Sequence, residues 1–111
     1  SKRMTTCKQY IVQLVDELLR LFSEPISNKI VYSRLVTLRH VIRNTLSEDD
    51  VLQSCKEFYV KNKEMFVNND MKMFSDSPYA TIIEFVWNEL GPQNKERVRQ
   101  WVDCIIQNFV A

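Results

Sequence analysis

The side chains able to do chemistry are few: one histidine, three cysteines and fourteen carboxylates in 111 residues. His40 stands between Arg39 and Arg43, and no cysteine or carboxylate lies four residues away on its helical face. A metal ion needs several ligands converging from such spacings, so His40 reads as a solvated surface residue. Cys7, Cys55 and Cys104 contain no C-x-x-C pair. No signature joins a cysteine or serine nucleophile to the histidine. Cys55 falls on an apolar stripe and reads as a small core residue. Cys104 borders another stripe. Cys7 sits in a first helical turn beside Lys8, an environment that lowers a thiol pKa. Asp16-Glu17 and Asp49-Asp50 fit a solvated face and a helix start better than a hydrolase pair. Asn69-Asp70 lacks the alternating acids, central glycine and closing glutamate of an EF-hand. The chain is therefore expected to be no enzyme, with no metal, no cofactor and no small-molecule substrate.

Composition narrows the fold that must carry these residues. One glycine and three prolines occur, where average usage gives about 13 for this length. A turn-rich sandwich or barrel and every glycine-rich phosphate loop are excluded. With 45% hydrophobic residues, a chain of this length can bury one core as a single domain. Three cysteines, an odd number, and no Asn-x-Ser/Thr acceptor point to a reducing, cytoplasmic setting rather than a disulfide scaffold. Apolar runs of only three or four residues predict no membrane insertion.

Periodicity predicts an all-α compact bundle of about five helices, at 6–23, 28–45, 48–66, 78–90 and 93–109. Thr6 and Gln9 have capping-box spacing at the start of the first. Ile11, Leu14, Val15, Leu18 and Phe22 form its stripe. Tyr10, Val12, Leu19 and Leu21 widen that stripe to about 200°. Such a helix is packed on two sides, at the bundle centre or at an interface. Pro25 is expected to end it, and Ser27 to cap the second helix. Ser47 with Glu48, Asp49 and Asp50 opens the third. Residues 67–77 are irregular, Ser77-Pro78 starts the fourth helix, and Gly91 is expected in a left-handed C-terminal position before Pro92.

Leu19 and Leu21, with outward-pointing Val60 and Trp87 at the edge of its stripe, are candidate interface residues. Residues 1–46 hold eight basic and three acidic side chains. Lys29, Arg39 and Arg43, on the polar face of the second helix, are candidate phosphate contacts. So few cations would hold nucleic acid only weakly, and in a salt-sensitive way.

The run Lys56-Glu57-Phe58-Tyr59-Val60-Lys61-Asn62-Lys63, then Asn69-Asp70 and Phe74, precedes Phe85-Val86-Trp87-Asn88-Glu89-Leu90. Asn94-Lys95-Glu96, Val98 and Trp101 follow. This C-terminal half resembles short helical proteins of nucleocytoplasmic large DNA viruses. The resemblance implies a small intracellular viral protein, a virion component or an assembly or host-interaction factor. It transfers no catalytic or ligand residue. The function expected is a non-enzymatic protein–protein interaction or self-association module; the alternative is a nucleic-acid-associated protein using the second helix.

Overall fold

Thr6 opens the first helix, α1 (Cys7–Leu21). Its hydroxyl accepts from the Gln9 backbone N–H at 3.2 Å, while the Gln9 side chain accepts from the Thr6 N–H at 3.0 Å. Two of the donors that a helix start leaves without partners are thereby satisfied. Ser47 and Asp50 repeat the device, at 3.0 and 3.4 Å, at the start of a later helix. The computed structural model describes residues 5–23, 29–68, 70–75 and 80–111. After α1 come α2 (Lys29–Thr45), α3 (Glu48–Lys61) and the short α4 (Lys63–Val67). A 3-10 turn (Met71–Phe74), α5 (Ala80–Glu89) and α6 (Pro92–Ile105) follow, and α6 runs into a π-helical turn, Ile106–Val110. Among the described residues there is no strand. The fold is an all-α single domain, with a radius of gyration of 14.0 Å against about 13 Å for a compact chain of this length.

Three local expectations change. The third predicted helix is broken at Asn62, whose backbone sits at φ −119°, ψ 23°. The Asn62 side chain donates to the Phe58 carbonyl at 2.9 Å, the local competition with helix bonding that asparagine offers. Gly91 is not left-handed; at φ −69°, ψ 167° it is the extended N-cap of α6, with Pro92 at the first helical position. Residues 67–77 are not wholly irregular, because Asp70 caps the 3-10 turn by accepting from the Lys72 N–H at 3.0 Å. Pro25, Ser27, Ser77 and Pro78 lie outside the described residues.

The apolar faces gather into two clusters. One unites Phe22, Val31, Leu35, Ile82, Val86 and Leu90; the other unites Cys7, Val15, Ile42, Val51 and Ile105. Helix α1 contributes to both and packs on α2, α3 and α6, so its wide stripe is indeed covered from two sides. Trp101 fastens α6 to α1 by donating its indole N–H to the Tyr10 carbonyl at 3.1 Å. Phe58 stacks on Phe74 with ring centres 5.3 Å apart, holding the 3-10 turn against α3.

Glu17 ties α1 to α6 through charge, meeting Arg20 at 2.6 Å and Arg97 at 3.0 Å. The hydrogen bond from Arg20 holds its carboxyl below the ordinary 4.5, with the charges of Arg20 and Arg97 assisting. A depressed folded-state pKa adds stability above the ordinary carboxylate range and loses it as pH falls. Glu17→Gln is therefore expected to lower the unfolding midpoint slightly near neutral pH, the difference shrinking progressively as pH falls below 4.5 through the carboxyl's lowered pKa, as read by thermal unfolding across pH. Thr6→Ala should cost about 1 kcal/mol in urea unfolding, with no change in the denaturant slope.

Candidate functional site

Helices α1 and α2 leave an open groove of about 740 Å³ between them, lined by Lys8, Gln9, Val12, Gln13, Arg39 and Arg43. It brings together two of the three candidate phosphate contacts. Lys29, exposed at the start of α2, is not part of its lining. Two of the groove's three cations already have partners. Arg39 forms an ion pair with Asp16, and the Lys8 ammonium donates to the Leu46 carbonyl at 2.7 Å. Arg43 has no ion-pair partner among the described residues. Lys8 was missed from sequence because its place in the groove depends on how α1 and α2 pair, which neither helix's own period records.

The four candidate interface residues separate. Leu19 packs against both core clusters and Leu21 against the first, and both remain half-buried. Trp87 is half-buried, with the Lys95 ammonium 5.5 Å from its ring centre. Val60 remains on the surface, 76% exposed, and Val67 is 74% exposed. The backbone bonds from Asn62 N–H to the Phe58 carbonyl and from Phe66 N–H to the Asn62 carbonyl, 3.1 and 3.0 Å, carry the helical path from α3 into α4. The two valines stand seven positions apart, one on either side of the break at Asn62. Lys63 and Glu64 are exposed between them.

Beneath this surface the thiols of Cys7 and Cys55 meet at 3.9 Å. The environment expected for Cys7 is reversed: burial raises its pKa despite its position in the first turn, and Glu48 adds to the rise. Burial, and then the neighbouring Cys7, push Cys55 up to about 12. His40 is exposed and lies 2.9 Å from the Asn44 amide nitrogen. Among the described residues no three histidines, cysteines or carboxylates converge as metal ligands, and no helix is long and apolar enough to cross a membrane.

One internal feature had no signal in the sequence. A cavity of about 220 Å³ lies between α1, α2, α5, α6 and the 3-10 turn, walled by Leu14, Leu18, Leu35, Leu38, Phe74, Ile82, Val86, Trp87, Val98 and Val102. It opens to solvent beside Arg99 and Asp103, both exposed on α6. Periodicity assigns most of the walling side chains to inward faces, Trp87 to a stripe edge and Phe74 to no helix, and cannot say whether facing side chains meet.

Because thiolate formation is suppressed at both of these apposed thiols, Cys7 and Cys55 should resist alkylation by iodoacetamide at mildly alkaline pH. Half-buried Cys104 should label first. Peptide mass mapping of the folded and urea-unfolded chain checks the order, and all three should react once unfolded. Comparison of the chain with protein families, with curated proteins and with solved structures returned no match.

Proposed function

We propose that this chain is a non-enzymatic helical interaction module, acting by self-association or by binding a protein partner. One observation supports this above the rest: Val60 and Val67 project from the α3–α4 face with three quarters of their surface in water. Scattered exposed valines are ordinary. Two at heptad spacing, with Lys63 and Glu64 between them, match the seam and flank of a helix-pairing surface. Burying both against a partner would contribute about 3 kcal/mol before the losses of association. The resemblance of residues 54–109 to large-DNA-virus proteins gives this reading its setting, a cytoplasmic or virion-associated assembly or host-interaction factor.

Sedimentation velocity across the micromolar range tests it. The wild-type chain is expected to associate, and Val60→Asp combined with Val67→Asp to stay monomeric with an unchanged helical circular-dichroism spectrum. If the wild type is monomeric, a photocrosslinker at position 60 in the native cell should capture a protein that the double variant does not. Failure of both overturns the proposal.

The groove between α1 and α2 supports the second role, a weak contact with nucleic acid. Arg39 and Arg43 converge there with Lys8, although Asp16 offsets part of their charge. Retention on immobilised RNA or DNA at low salt should be lost with Arg43→Glu. The salt slope of the wild type should be shallow, on the order of one to two phosphate contacts. No retention at any salt concentration removes this role.

A further inference from the structure

The two core clusters meet at Leu19, and members of both border the cavity. Val15, from the cluster of Cys7 and Ile105, faces the cavity together with Leu35, Ile82, Val86 and Leu90 from the other. The void thus lies at the junction of the clusters, where the centre of the domain should be. Even Leu35, the most enclosed core residue, keeps 2% of its surface exposed. Water does not fill such a space well, because an ordered water needs two to four polar partners. Among the described residues, the charged side chains lining it are Arg99 and Asp103. Both are exposed, one turn apart on α6, and mark where the cavity meets solvent.

We propose that this cavity is a binding site for one small, uncharged, apolar molecule, held and not transformed. Three features define the occupant. At the packing density of protein interiors, 220 Å³ accommodates about 160 Å³ of molecular volume, a bicyclic aromatic or a chain of about nine carbons. The Leu, Ile, Val, Phe and Trp wall offers dispersion contacts and leaves a charged group without hydration. The rim has one cation and one anion, so it favours neither sign and suits a neutral molecule with at most a polar tip. The proposal does not depend on the valine surface of α3 and α4.

Naphthalene and 1-nonanol are the probes, followed by methyl chemical shifts in two-dimensional carbon–proton spectra. At least one should bind saturably at one equivalent, shifting Val86, Val98 and Val102 and sparing Val51 and Val60. It should also raise the thermal midpoint by a few degrees. Val102→Phe places a ring in the void. Its affinity for the probe should fall by roughly tenfold or more, while its own midpoint without probe is no lower than that of the wild type. Should Val102→Phe fail to fold, Val98→Phe and the wild-type shift map decide. The Val60→Asp, Val67→Asp double variant should bind as the wild type does, which separates this site from the interaction surface. Non-saturating shifts spread over the surface, equal affinity in the filled variant, or no response to either probe would overturn the proposal.

Discussion

Helix α1 is apolar over more than half of its circumference, and the fold is arranged around that fact. A stripe so wide cannot be covered by one neighbour, so α1 needs partners on two sides. Phe22, Leu18 and Leu21 serve one cluster, with α2 and α5. Cys7, Val15, Tyr10, Ile11 and Val12 serve the other, with α3 and α6. Leu19 belongs to both. The polar ties at α1, from Glu17 to Arg97 and from Tyr10 to Trp101, are fastenings added to this apolar arrangement. Remove the two-sided stripe and the clusters have no common member.

The same centrality explains where the surface is left unfilled. The outer flank of α1 meets the polar side of α2 at the groove containing Arg39 and Arg43. There Asp16 and the Leu46 carbonyl engage two of the three cations. The α3–α4 face lies away from the stripe of α3 and leaves Val60 and Val67 about three quarters exposed. Charge on the first face is partly balanced, whereas the second presents apolar surface to water.

Local features were the most legible in sequence. The box at Thr6 and Gln9, the cap at Ser47 and the proline at the start of α6 each involve residues within a turn of one another, and each stands as expected. Gly91 was misjudged because glycine serves either end of a helix, and Pro92 immediately after it made the N-cap role win. Asn62 escaped notice because a single asparagine inside a strong stripe leaves the period intact. Properties made by two or more elements were not readable at all. The meeting of Cys7 with Cys55, the place of Lys8 and the packing of Leu19 against both clusters depend on how helices face one another. The apolar volume left between the clusters depends on four helices and the 3-10 turn at once.

The bond from Trp101 to the Tyr10 carbonyl joins groups 91 positions apart, and this has a consequence for how the chain is made. A polypeptide leaves the ribosome N-terminus first. Helix α1 can meet α2 early, but its other apolar side must wait for α6, which follows α1 to α5 in the chain. Until α6 emerges, the stickiest helix of the domain is therefore half uncovered. The nascent chain should depend on shielding by chaperones, or on rapid translation of its second half, more than an ordinary helical domain of this size.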